Sequence, residues 1–185
     1  LDLDNGVEKN IRLLAEAKNK KISDLNVCVL KRPRHNHIVK ILNKMNVKIN
    51  YITDGDIAGA LTVIGDNPLN DIYYSTGGGP EGVIVAAALS CYGGQIQGRL
   101  VLDKNEIVRA TKLGITDPQK KYNINDMVKG DLIFCASGVT SGDLADGVKN
   151  FENKYEVSTF VLHKNEKINK VIKNTYINEL HFGKW

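Results

Sequence analysis

The first half of the chain repeats one pattern, a short strand-like run followed by a helical pattern, and this alternation constrains the fold more than any other feature. Strand-like runs cover residues 25–30, 47–52 and 71–74, and a helical pattern follows each of them. A further helix is predicted before them, at 6–19, with Asp4 or Asn5 as its cap. Strands that alternate with helices pair in parallel through right-handed crossovers. The sequence therefore predicts an α/β fold with a mainly parallel sheet.

The second half is less regular. Residues 95–102 alternate as in a strand, and 131–136 form an apolar run that we interpret as a buried strand. Residues 108–121 are polar and predict a helix end and a loop. The runs 155–162 and 167–176 flank a polar turn and predict a C-terminal hairpin, and the tail 181–185 is expected to be disordered or an edge contact. We expect residues 1–185 to form a single α/β domain.

Composition excludes several classes of protein. Apolar residues make up 42% and charged residues 25%, which is typical of globular domains, and no apolar run approaches the roughly 20 residues of a membrane helix. The first residues lack the features of a signal peptide. The net charge of +4 comes from scattered lysines without interleaved aromatics. We predict no membrane or nucleic-acid partner.

The cysteines and the small-residue turn at 137–142 do not predict nucleophilic catalysis. Cys28, Cys91 and Cys135 are an odd number, lie in apolar runs and form no CxxC pair. We interpret them as reduced, buried side chains of a cytoplasmic protein. The turn at 137–142 does not have the Gly-x-Ser-x-Gly spacing of a nucleophile elbow.

Three predicted strand ends carry chemically distinctive loops. The first contains Arg32, Pro33, Arg34 and His35, which we interpret as an anion clamp because guanidinium groups bind phosphate bidentately. Pro33 keeps Arg32 out of the helical region. For His35, a surface or supporting position is expected.

The second and third loops carry carboxylates and glycines. Asp54 and Asp56 flank Gly55, and this pattern suits a hard cation, sugar hydroxyls or a helix cap without deciding between them. The third loop, STGGGPEG at 75–82, predicts a tight glycine turn that leads into a helix, with Pro80 and Glu81 in its first turn. Unpaired N–H groups there attract negative charge. Ligands bind beyond the carboxyl ends of parallel strands, so the three loops together predict a site for a phosphorylated sugar with Mg²⁺ or Mn²⁺.

Four strings also carry a family resemblance. LKRPRH at 30–35, DGD at 54–56, GGPEG at 78–82 and QGRL at 97–100 occur in an order and spacing that resemble the C-terminal half of class II fructose-1,6-bisphosphatases of the GlpX type. The resemblance covers nearly the whole chain. It implies the layered α/β fold of the sugar phosphatases related to inositol monophosphatase. It also implies a homo-oligomer that hydrolyses the 1-phosphate of fructose 1,6-bisphosphate with Mg²⁺ or Mn²⁺; some relatives also accept sedoheptulose 1,7-bisphosphate.

The resemblance also assigns roles to individual residues. It makes Glu81 a metal ligand, and it implies substrate contacts for Arg32, Pro33, Arg34, Asp54, Gly55, Asp56 and Gly78. It assigns no catalytic residue within this half. The family's N-terminal half, which supplies most of the metal-binding carboxylates, has no counterpart here, and Glu81 alone cannot build a multi-metal site. We therefore expect a fragment that needs the missing half and is inactive alone.

Two other functions remain open from the residues. A non-catalytic sugar-phosphate or nucleotide-binding α/β module would use the arginines and the glycine turn without hydrolysis, and its binding would not depend on a divalent metal. A Rossmann-type dinucleotide enzyme is disfavoured because residues 77–80 lack the GxGxxG spacing and no acidic residue follows at the expected interval.

Overall fold

A computed structural model describes residues 1–142, 144–152 and 154–177 of the chain. The chain divides into two compact units, Leu1–Lys129 and Gly130–Trp185. That residues 1–185 form a single domain stays a prediction. The tail at 181–185, for which we predict disorder or an edge contact, lies outside the described residues. No helix in the described part of the chain is long and apolar enough to cross a membrane.

The first unit follows the predicted alternation of helices and strands. Its elements are α1 (Gly6–Ala17), β1 (Asn26–Leu30), α2 (Asn36–Lys44), β2 (Lys48–Ile52), α3 (Asp56–Leu61), β3 (Ile72–Tyr74), α4 (Gly79–Tyr92), β4 (Gln97–Arg99), α5 (Lys104–Lys112), β5 (Lys121–Asn123) and α6 (Ile124–Met127). Short 3₁₀ turns lie at Leu3–Asn5, Ile22–Asp24 and Pro33–His35. The α/β fold class predicted from the sequence is thereby confirmed.

The first three strands form a parallel sheet in the order β2-β1-β3. The central strand β1 pairs Val27 with Ile49 on one side and with Ile72 on the other. Val27, Cys28 and Val29 have no exposed surface, as expected of a parallel strand that is covered on both faces. The predicted burial of this run is confirmed.

Helices cover the two faces of this sheet in pairs. On one face, Ile11 of α1 and Leu42 of α2 pack into a cluster with Val27 and Val29. On the other face, Tyr73 packs with residues of α3 and α4. The connections that leave β1 and β3 therefore run to opposite faces. In doubly wound sheets such a switch point opens a crevice between the carboxyl ends of the two strands, where ligands bind.

The predicted cap of α1 differs from the structure. Asn5 occupies the N-cap position, but its side chain makes no capping hydrogen bond. Asp4 lies in the preceding 3₁₀ turn, where Asp2 accepts its N–H, and both aspartates bind Nζ of Lys121 at 2.6–2.8 Å. These acidic side chains thus anchor the N-terminal segment to β5 rather than capping α1.

The second unit is an antiparallel sheet of β6 (Ile133–Ser137), β7 (Lys149–Phe151), β8 (Lys154–His163) and β9 (Ile168–Ile177). Strand β8 is central, with β9 along one edge and β6 and β7 along the other. The predicted hairpin is confirmed, since β8 pairs with β9 from Lys154↔Ile177 to His163↔Ile168.

The interpretation of 131–136 as a buried strand is wrong. In β6 only Phe134 is buried, whereas Ile133 is 67% exposed. Cys135 is exposed and Cys91 is only partly buried, so burial of all three cysteines is also wrong. An antiparallel sheet can leave one face uncovered, and the apolar composition of a run does not reveal this.

Candidate functional site

The three predicted loops lie at one edge of the parallel sheet. They follow Leu30 of β1, Ile52 of β2 and Tyr74 of β3. Because the strands run in parallel and in register, their carboxyl ends lie side by side. The N–H of Lys31 donates to the carbonyl of Ile52 at 2.8 Å, so the first residue of the first loop contacts the end of β2.

The two arginines of the first loop each bind the backbone of a neighbouring loop. Arg32 is extended, as expected before Pro33, and its Nη1 donates to the carbonyl of Thr53 at 2.8 Å. Arg34 donates from Nε to the carbonyl of Thr76 at 2.7 Å. A guanidinium carries five N–H donors, so each arginine retains donors for an anion. The arginines therefore connect all three loops while remaining at the edge of the sheet.

In the second loop, neither aspartate caps a helix through its side chain. Gly55 is the N-cap of α3 and has a φ of +82°, a left-handed conformation that is strained for other residues. Asp54 accepts the N–H of Gly55 at 2.9 Å. Oδ1 of Asp56 accepts two hydrogen bonds, one from the Tyr73 hydroxyl at 2.6 Å and one from the Ser75 hydroxyl at 3.1 Å. Helix capping, one of the alternatives left open by the sequence, is therefore not the role of this pair.

Tyr73 is a stable hydrogen-bond donor to Asp56. Burial raises the pKa of the Tyr73 phenol, and the hydrogen bond to the Asp56 carboxylate raises it further. The phenol thus keeps its proton at neutral pH. Oδ1 of Asp56 is therefore held by Tyr73, and it also accepts from Ser75 of the third loop.

The third loop needs its glycines for a reason that differs from the predicted tight turn. Residues 77–79 do not have left-handed backbone, and Gly78 has a φ of −70°. Carboxylates pack against this backbone instead. A Cβ on Gly77 would lie 2.5 Å from Oδ2 of Asp56, and a Cβ on Gly78 would collide with the carboxylate of Glu81. The predicted helix start is confirmed, because α4 begins at Gly79 with Pro80 and Glu81 in its first turn.

A matched pair of substitutions tests this packing. We expect Gly77→Ala to displace Asp56, because Tyr73 and Ser75 hold its carboxylate in place, and to lower the free energy of unfolding by about 1–3 kcal/mol. Gly79→Ala is the control, since a Cβ there meets nothing within 4 Å. It should leave stability unchanged or raise it slightly. Urea denaturation of both variants measures the difference, and equal stability of the two would contradict the packing described here.

His35 does not lie at the surface, which is one of the two positions that the sequence suggests for it. It is only 1% exposed, although the sequence suggests a surface or supporting position. Its ring bonds to the carbonyl of Leu30 and to the N–H of Thr76. The surface placement is wrong.

The described residues do not by themselves fit a complete metal centre. No group of three or more His, Cys, Asp or Glu side chains in the described part of the chain is arranged to hold a metal ion. Glu81 is an exposed carboxylate at the start of α4, which suits one ligand of a shared centre. Its role as a metal ligand stays a prediction.

Comparisons with known proteins identify the family that the chain resembles. The family model described as bacterial fructose-1,6-bisphosphatase, glpX-encoded, matches residues 1–176. The chain is 33% identical to a fructose-1,6-bisphosphatase class 2 of Haemophilus influenzae, over 98% of the chain and 59% of that protein. It is 34% identical to a D-fructose 1,6-bisphosphatase class 2/sedoheptulose 1,7-bisphosphatase of a Synechococcus species, over 86% of the chain and 50% of that protein. The chain thus spans about half to three fifths of the length of these curated relatives.

Proposed function

Because the chain belongs to the glpX-encoded family of bacterial fructose-1,6-bisphosphatases, we propose that it supplies the sugar-phosphate-binding part of such an enzyme. The proposed reaction is hydrolysis of the 1-phosphate of fructose 1,6-bisphosphate with Mg²⁺ or Mn²⁺. Sedoheptulose 1,7-bisphosphate is a second proposed substrate, since relatives from Synechococcus carry both names. A homo-oligomer and a cytoplasmic location remain predictions.

The observation that supports this proposal most strongly is the linkage of three loops at one sheet edge. Arg32 binds the second loop, Arg34 binds the third, and Asp56 accepts from Ser75 of the third. The site thereby combines cationic groups, carboxylates and the N-terminus of α4. These suit a phosphate, sugar hydroxyls and a second anionic group, respectively.

Within this arrangement the residues bind and orient rather than break bonds. The arginines would hold a phosphate through charge-assisted hydrogen bonds, and the backbone of Gly78 would contact the substrate. Asp54 and the free oxygen of Asp56 would accept from sugar hydroxyls. Together these contacts would set the orientation of the 1-phosphate, while Glu81 would contribute one carboxylate to a metal centre that other residues complete.

The first experiment measures phosphate release from fructose 1,6-bisphosphate by this polypeptide with Mn²⁺ or Mg²⁺. We expect no turnover above the buffer rate, because one carboxylate cannot activate water and neutralise a leaving phosphate. Robust turnover would contradict the proposal that the chain is only the substrate-binding part.

A non-catalytic binding module is the competing function, and it would use the exposed donors of Arg34 and the N-terminus of α4 without hydrolysis. Metal dependence separates the two. If the chain is part of the phosphatase, its affinity for fructose 1,6-bisphosphate should fall when Mn²⁺ is chelated or when Glu81→Gln removes the ligand charge. A binding module should be indifferent to both changes, and titration calorimetry with and without a chelator measures the difference.

A further inference from the structure

The buried ring of His35 has both of its nitrogens engaged within the protein. Nδ1 lies 2.6 Å from the carbonyl oxygen of Leu30, and Nε2 lies 2.8 Å from the backbone nitrogen of Thr76. A carbonyl oxygen only accepts and an amide N–H only donates. The ring therefore carries its proton on Nδ1, which donates to Leu30, and it accepts from Thr76 through Nε2. With both atoms used, the ring has no polar atom left for a ligand.

Thr76 is held on both sides of its backbone. Its N–H donates to His35, and its carbonyl accepts from Nε of Arg34 at 2.7 Å. The preceding residue, Ser75, donates its hydroxyl to Asp56 at 3.1 Å. Side chains from the first and second loops therefore both bind residues 75–76 of the third, and the ring of His35 is buried while Arg34, Ser75 and Thr76 are exposed.

We propose that His35 is a positioning residue for the sugar-phosphate site. By holding the Thr76 N–H against the end of β1, the buried imidazole sets the direction in which residues 76–81 leave β3. It thereby places the backbone of Gly78 and the carboxylate of Glu81, and it keeps the Thr76 carbonyl within reach of Arg34. This inference rests on the proposed function, because it assigns the ring a task in binding a phosphorylated sugar. In an enzyme site, a displacement of about 1 Å can lower the reaction rate about a hundredfold.

The wild-type protein provides the first test, by nuclear magnetic resonance on the ¹⁵N-labelled chain. We expect a scalar coupling across the hydrogen bond between the Thr76 amide and Nε2 of His35. The ring ¹⁵N shifts should show the proton on Nδ1. A proton on Nε2, or a Thr76 amide without this coupling, would overturn the proposal whatever the chain binds.

Two substitutions then separate the two hydrogen bonds of the ring. Gln places a side-chain carbonyl near the position of Nε2, so His35→Gln can still accept from Thr76. Asn places a side-chain N–H near the position of Nδ1, so His35→Asn can still donate to Leu30. Each variant loses one buried hydrogen bond, so their stabilities should fall by similar amounts. They are compared at a temperature at which circular dichroism shows both to be folded.

The affinity for fructose 1,6-bisphosphate should distinguish the variants. We expect the Kd to rise by at least about tenfold in His35→Asn and by less than about threefold in His35→Gln. The Thr76 amide should exchange with solvent about tenfold faster in the Asn variant. If both variants lost the same affinity for fructose 1,6-bisphosphate, His35 would have only a structural role and the proposal would be overturned. If the wild type itself binds no sugar phosphate, the proposed function fails, while the coupling and the exchange rates still decide whether His35 holds the loop.

Discussion

Replacing Asp71 by Asn is expected to lower the free energy of unfolding by about 2–3 kcal/mol at pH 7. The Asp71 side chain is only 2% exposed, and Nζ of Lys18 and of Lys20 lie 2.7 and 2.9 Å from its Oδ1. Its Oδ2 accepts the N–H of Asn26 at 2.9 Å. Removing one partner of a buried ion pair typically costs about 3–5 kcal/mol. The cost should be smaller here because the two lysines are 34% and 41% exposed and regain water.

The stability conferred by Asp71 should depend on pH in a defined direction. Burial raises the pKa of the Asp71 carboxyl, but hydrogen bonds from Lys18, the Asn26 N–H and Lys20 outweigh it and lower the pKa from 3.8 to about 2. A carboxyl whose pKa is lowered by folding stabilises the protein above its unfolded pKa and loses this effect as the pH falls toward its folded pKa. The shift corresponds to roughly 2 kcal/mol.

Urea denaturation between about pH 7 and pH 2 checks this prediction. The difference between wild type and Asp71→Asn should be full above about pH 5 and should shrink toward pH 2. Asp66→Asn, at an exposed aspartate, is the control and should change stability by less than about 0.5 kcal/mol. A pH-independent difference for Asp71→Asn would contradict the assigned ionisation. Asp71 joins the amino ends of β1 and β3, so ligand binding at the opposite edge should persist while the variant is folded.

Replacing Arg34 by Ala is expected to weaken binding of fructose 1,6-bisphosphate by about 10- to 100-fold. The substitution removes the hydrogen bond to the Thr76 carbonyl and the exposed positive charge together. Charge-assisted hydrogen bonds contribute about 1.5–3 kcal/mol, which corresponds to this range of affinity. Titration calorimetry at low salt measures the change, and added salt should weaken wild-type binding.

Two further variants make the Arg34 result specific. Arg34→Lys keeps the charge, but an ammonium cannot bind the Thr76 carbonyl and present a planar fork to phosphate at once, so it should restore only part of the affinity. Arg12→Ala removes an exposed arginine that pairs with Glu8 on α1 and should leave binding unchanged. Wild-type affinity in Arg34→Ala would show that the first loop is not the anion clamp.

The framework of the first unit could be predicted because its signals are local. The apolar run of β1 and the helical spacing of Ile11 and Leu14 are properties of short segments, and the structure buries these residues. Asp103 and Glu106 form a capping box at the start of α5, and the D-x-x-E spacing marks this helix start in the sequence.

The site could be predicted only in part because its details depend on contacts between distant segments. His35 owes its burial to partners that include Thr76, 41 residues away, and no local pattern signals such a partner. The sequence predicts a turn role for Gly77, but its lack of a side chain matters because Asp56 packs against it from the second loop. The exposed face of β6 likewise depends on what does or does not cover it, which an apolar run does not encode.

The three loops at the carboxyl edge of the parallel sheet form the proposed binding site for a phosphorylated sugar. The most direct measurement follows the backbone amide resonances of this chain during titration with fructose 1,6-bisphosphate, with Mn²⁺ replaced by diamagnetic Mg²⁺. We expect saturable shifts concentrated in residues 31–35, 53–56 and 75–81. Saturable shifts confined to other segments would contradict the proposed site. So would the absence of any shift at substrate concentrations that saturate full-length enzymes of the family.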